Sequence, residues 1–181
     1  MEDTRMEKSW LSVLQQAQVG ELLETNQFTQ QYGLALTKRD VRLIAEARQD
    51  ALKEARRVEV GDSITPKIIF EFCDSDYLSQ DNYRDTIIRL QEIFFLYKNE
   101  MQDEITDDEL LHFMKEQFET VCFGDLDYLE GTCLANFAQA IRAGYRSYSE
   151  TDGYGEYAAL DEVPRWDREL YLATLRELLG E

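Results

Sequence analysis

Residues 80–100 read QDNYRDTIIRLQEIFFLYKNE. Tyr83, Ile87, Leu90, Phe94 and Tyr97 recur at the helical period of about 3.6 residues. Ile88, Ile93, Phe95 and Leu96 fill the other faces, so this helix is apolar almost all round. A surface helix keeps a polar face, whereas one that is apolar on every side belongs in the middle of a bundle. Ser79 is the expected cap of a helix running from about Gln80 to Glu100.

The flanking segments supply helices to surround it. Thr37, with Asp40 three residues on, opens a helix through Val41, Ile44, Ala45, Ala47, Ala51, Leu52 and Ala55. Its outer face carries Arg39, Arg42, Glu46, Asp50, Lys53 and Arg56. Pro66 suits the first turn of a helix through Ile68, Ile69, Phe72 and Cys73, which Asp74-Ser75-Asp76 ends. Thr106-Asp107-Asp108-Glu109 is a capping box before Leu110, Phe113, Met114 and Phe118. Gly124-Asp125 starts a helix with Leu126, Leu129, Cys133, Phe137, Ala140 and Ile141 on one face.

Towards the ends, Met6, Trp10, Val13, Leu14 and Ala17 predict a helix over 4–18. A second helical segment covers Glu21 to Tyr32, stopped by Gly33, and a final helix covers 165–179 with Trp166, Leu170, Leu175, Leu178 and Leu179. Residues 147–163 hold Gly153 and Gly155 and read as a loop. Val58-Glu59-Val60 alternates and then turns, which fits a short strand with no identifiable partner. The expected fold is all-α: a single compact orthogonal bundle of six to eight helices with at most one short strand pair. One domain over 1–181 would have its core at 34–147, N-terminal helices at 1–33, and a loop plus C-terminal helix at 148–181.

Composition narrows the function classes. The 181 residues are 44% hydrophobic, which is globular, and one domain of this length needs no covalent staple. There are 37 acidic and 19 basic side chains, for a net charge of −18. Readers of nucleic acid gain affinity by neutralising phosphates with Lys and Arg, so no nucleic-acid partner is expected, and no anionic membrane. No apolar run nears the roughly 18 residues of a membrane span, and the N-terminus lacks a secretory pattern. Cys73, Cys122 and Cys133 are odd in number and form no CxxC pair, which fits a reduced, cytoplasmic protein without a disulfide framework or zinc site.

The charge is uneven. Residues 1–62 carry a net −2, and 63–181 carry −16. Residues 100–130 hold eleven carboxylates against Lys115 alone, a local −10. The segment Lys38 to Arg57 is locally +3 and could meet that block in the same or another copy of the chain. Three acids in the first turn after Thr106 complement the helix dipole, which accounts for part of the block.

Chemistry-bearing patterns are sparse. Glu109-Leu-Leu-His112, with Glu116 a turn further on, has the Glu-x-x-His spacing of di-iron bundles. Such a site needs the motif twice, and His112 is the sole histidine, so only a symmetric dimer could assemble it. Asp125-x-Asp127-x-Leu129 and Asp74-x-Asp76-x-Leu78 lack the third oxygen ligand and the glycine of a calcium loop. The cysteines share one histidine, and no nucleophile elbow, dinucleotide or phosphate-loop motif occurs. Lys98-Asn99-Glu100 follows the most apolar helix and opens the acidic stretch; a helix C-terminus with Lys98 on the dipole explains it simply. Tyr83 and Lys98 lie about 22 Å apart along a straight helix, too far for one small pocket.

Several segments carry a resemblance. Pro66-Lys67-Ile68-Ile69, Phe72-Cys73-Asp74-Ser75, Tyr77-Leu78, Gln80, Asn82-Tyr83, Phe94 and Lys98-Asn99-Glu100 resemble a family of uncharacterised Firmicutes proteins. Thr37 with its helix, Asp107-Asp108-Glu109-Leu110 and Leu126-Asp127-Tyr128-Leu129 do so too. The likeness spans residues 34–135; Asp76 replaces the family's Pro, and the C-terminal 45 residues add nothing to it. It implies a cytoplasmic bacterial origin and a domain of unknown function, with no activity attached.

Two functional expectations follow. The first is a non-catalytic interaction protein, monomer or homodimer and without cofactor, whose acidic face at 100–130 receives a basic protein partner. Its interaction residues would be Lys98, Asn99, Glu100, Asp103, Glu104, Asp107 and Asp108. The alternative is a metal- or small-ligand-binding protein using Glu109, His112 and Glu116, across a dimer interface.

Overall fold

A computed structural model describes residues 16–59, 63–151 and 154–159. Most of the helix expected at 4–18, all of that at 165–179, and Val60 lie outside those residues. The expected all-α class holds, with one strand pair. The chain groups into two compact units, Met1–Phe95 and Leu96–Glu181. Among the described residues, no helix is long and apolar enough to cross a membrane.

In the first unit, α1 (16–24) leads to α2 (Asn26–Thr29) and one tighter turn, Gln30–Tyr32. Gly33 ends it at φ 75°, a left-handed conformation that a Cβ would strain. The extended residues that follow are clasped by two side-chain amides. Asn26 both donates to and accepts from Leu36, at 2.8 and 2.7 Å, and Gln80 does the same for Ala35, at 2.8 Å each way.

Next comes α3 (Lys38–Glu54), started by the expected capping box. The Thr37 hydroxyl accepts from Asp40 N at 3.1 Å, and the Asp40 carboxylate accepts from Thr37 N at 2.9 Å. That backbone N–H, joined by the Thr37 hydroxyl and Arg84, holds the Asp40 carboxyl below its ordinary range. After α3, Val58 and Glu59 are irregular, not a strand. The Glu59 carboxylate instead joins two groups. One oxygen accepts from Arg48 at 2.8 Å, and the other accepts from Ile64 N at 2.6 Å. It thus pairs a buried guanidinium and satisfies the first turn of α4 (Ile64–Phe72).

The long helix α5 (Tyr83–Glu100) begins three residues later than Ser79 and Gln80 suggest. Asn82 is the reason: its side chain accepts from Ser79 N at 2.8 Å and donates to Tyr77 O at 3.0 Å, so Ser79–Asn82 forms a turn ahead of the helix. Tyr83, Ile87, Leu90, Ile93, Phe94 and Phe95 are buried as expected. Gln91, unremarked in the periodicity, is also buried; it accepts from the Thr65 hydroxyl and donates to Ile44 O at 3.3 Å. One amide therefore ties α5 to α4 and α3. Burial pushes the Tyr83 phenol up to about 12.

In the second unit, α6 (Asp107–Thr120) starts on the expected Thr106 capping box. Asp125 then accepts from Asp127 N and Tyr128 N, both at 3.0 Å, and opens α7 (Leu126–Tyr128). The predicted single helix is wound as a π-helix over Leu129–Leu134 before continuing as α8 (Ala135–Arg142). Phe113 of α6 stacks on Phe137 of α8, with ring centroids 4.0 Å apart. Around them Leu110, Met114, Phe118, Leu129, Leu134 and Ile141 are buried.

The segment read as a loop from 147 begins instead as an antiparallel hairpin, β1 (Tyr145–Thr151) with β2 (Tyr154–Ala159). Thr151 pairs with Tyr154, which leaves two residues between the strands. Those are Asp152-Gly153, a dipeptide strongly favoured between hairpin strands, and the β-formers Tyr145, Tyr148 and Tyr157 flank them.

Candidate functional site

The polar residues singled out after Tyr97 fall in the second unit, around the connection from α5 to α6. Met101 and Ile105 are buried and anchor this connection. Between them Gln102 and Asp103 both adopt left-handed backbone, at φ 53° and 57°, which costs about 1–2 kcal/mol for each non-glycine residue. The offset comes from Lys98, only 6% exposed. Its ammonium donates to Ile105 O at 2.8 Å and lies 2.9 Å from Asp107 and 3.5 Å from Asp103. Lys98 thus does more than face the helix dipole: it fastens the connection and offsets one negative charge of the acidic block between Asp107 and Asp103.

Other acids in 100–130 are used locally as well. Glu100 pairs with Arg142 of α8 at 2.6 Å. Glu119 pairs with Lys115 at 3.1 Å. Glu109 accepts from Thr106 N at 2.7 Å and from its hydroxyl at 2.9 Å. Burial first, then Glu130 and Glu100, push the Tyr97 phenol up to about 12, and its hydroxyl donates to Glu130 O in the π segment. Asp103, Glu104, Asp107, Asp108, Asp125 and Asp127 remain exposed, as does Asn99. The structure therefore brings Lys98, Asp103 and Asp107 together, and places Glu100 against Arg142.

The Glu109-His112-Glu116 set does not converge in the same way. His112 Nε2 lies 3.9 Å from Glu116, while the Glu109 carboxylate is turned to the helix start. Among the described residues, no three His, Cys, Asp or Glu side chains are grouped to hold a metal ion.

Sequence reasoning missed three features here. Phe123 is 66% exposed and left-handed at φ 49°, beside Gly124 at φ 85°. Arg142 lies 42 positions from its partner Glu100, a separation with no local signal. Cys122 and Cys133, which form no CxxC pair in the sequence, have their sulfurs 3.6 Å apart.

These features define a helical protein whose second unit carries an exposed acidic surface on an internally braced backbone. Residues 21–147 match a family of unknown function, DUF6323, and the chain belongs to that family. No curated protein and no solved structure matches the chain.

Proposed function

We propose that this chain is a non-catalytic protein-interaction module whose acidic surface at 100–130 receives a basic partner in the cytoplasm of a Firmicutes bacterium. The observation that carries the reading is the density of exposed carboxylates in one short segment. Residues 100–130 hold eleven carboxylates against Lys115 alone, and Asp103, Glu104, Asp107, Asp108, Asp125 and Asp127 among them are exposed. The exposed members sit on a connection already fastened by Lys98 and on capped helix starts, so a partner orders little backbone when it binds. Charge of one sign on such a surface speeds encounter and selects against acidic partners. The chain acts as a monomer or homodimer, and its net −18 disfavours nucleic acid and anionic lipid.

The test is capture of partners from a bacterial lysate on immobilised chain, followed by affinity measurement for the captured protein. Affinity is expected to fall about tenfold or more between low and physiological salt. Glu104→Lys combined with Asp108→Lys is expected to lose that partner while retaining its helical circular dichroism. Salt-independent affinity would sink the reading.

A further inference from the structure

Cys122 follows the end of α6, where the chain reverses through the left-handed pair Phe123 and Gly124. Cys133 lies in the π-wound segment after α7. This reversal returns the chain so that two thiols eleven positions apart face each other at 3.6 Å in a buried setting. Their surroundings differ in one useful respect: Cys122 is 6% exposed, and Cys133 is fully buried.

We propose that Cys122 and Cys133 form an oxidisable dithiol, a site at which a hydroperoxide produces a reversible disulfide within the second unit. A disulfide needs its sulfurs about 2.05 Å apart, so the observed contact closes by about 1.5 Å of side-chain movement. The π segment assists, because its wider turn is a local irregularity in the backbone ladder where a small shift disturbs fewer regular hydrogen bonds.

The chemistry balances with hydrogen peroxide as oxidant. The Cys122 thiolate attacks one peroxide oxygen; an S–O bond forms, the O–O bond breaks, and the departing hydroxide takes up a proton to leave as water. The Cys133 sulfur then attacks the Cys122 sulfenic acid. The S–S bond forms, the S–O bond breaks, and the hydroxide leaves as a second water carrying the Cys133 proton. Two thiols are oxidised by two electrons, and one hydrogen peroxide is reduced to two waters. The small residual exposure assigns the first attack to Cys122, and burial keeps Cys133 as the resolving thiol. Cys73 takes no part: its thiol donates to Phe70 O at 3.5 Å.

The test treats the folded, fully reduced chain with hydrogen peroxide, then denatures it with N-ethylmaleimide and reads the intact mass. The reduced chain takes three maleimides, and the oxidised chain is expected to take one. Non-reducing peptide mapping is expected to link Cys122 to Cys133, and dithiothreitol to restore all three additions. The mapping uses the unaltered chain, so the result does not depend on any variant folding. In Cys73→Ala the count is expected to fall from two to zero; in Cys133→Ala no intrachain link forms. The proposal is overturned by three maleimides after an oxidant dose that closes a small-molecule dithiol in the same tube. A link through Cys73, a link between chains, or a Cys122 sulfinate with free Cys133 overturns it equally.

Discussion

Lys98 shows how one side chain can change the meaning of a charged stretch. In the sequence it is the last cation before eleven carboxylates. In the structure its ammonium is nearly sealed from water and serves Ile105 O, Asp107 and Asp103 together. Lys98→Met keeps the aliphatic stem and removes the charge, so it isolates that role. The two aspartates are half exposed and rehydrate, but the Ile105 carbonyl loses a charged donor, for which a cost of about 2 kcal/mol is expected. Urea unfolding followed by circular dichroism reads it, with Arg89→Met as the control. Arg89 faces Glu92 at 3.5 Å and both side chains are partly exposed, where an ion pair contributes under about 1 kcal/mol. Equal stability of the two variants would remove Lys98 from its bracing role.

At the scale of elements, what is legible follows from the range of the interactions. The capping boxes at Thr37 and Thr106 are readable because cap and partner lie three residues apart. Replacing either threonine by alanine is expected to cost about 1 kcal/mol, seen as a lower denaturation midpoint at unchanged slope. Loss of helix without loss of stability would contradict that. The start of α5 is harder to place because Asn82, not Ser79, organises the turn, and both are acceptable cap residues. The hairpin has its signal in Asp152-Gly153 and the flanking tyrosines, but two glycines and several acids outweigh that signal. The π winding at Leu129–Leu134 keeps the apolar spacing of an ordinary helix and so gives no warning. The candidate site is half legible. Its acids are visible as a block, whereas Arg142 on Glu100 and Cys133 against Cys122 depend on how α6, the π segment and α8 fold back.

For the whole molecule the deciding balance is between a few paired charges and a large surplus of one sign. With 37 acids and 19 bases, self-repulsion acts at neutral pH throughout the chain, and salt screens it. Salt also weakens the ion pairs, but exposed pairs contribute little, and Lys98 and Arg48 are buried and screened less. Repulsion therefore wins, and raising salt from low to physiological at neutral pH is expected to raise the melting temperature. A gain of about 1 kcal/mol corresponds to roughly 2–4 °C for a chain of this size. Acid separates the two effects. As pH falls from neutral towards the pI of about 4.4, repulsion fades, so stability is expected to hold or rise. Asp40 works in the opposite sense. Its carboxyl is held below the ordinary range in the folded chain, so its contribution is complete above the unfolded value of about 3.9 and is lost as pH falls through the folded one. At the alkaline end Tyr83 and Tyr97 are pushed up to about 12 when folded. Their contribution is complete below the unfolded value of about 10 and is lost as pH rises from there through the folded one. Calorimetry across pH and salt should thus give a plateau with an acid edge near pH 4 and an alkaline edge beyond pH 10. A melting temperature that falls with added salt at neutral pH would show that paired charges outweigh the surplus, and the acidic surface would then already be compensated within the chain.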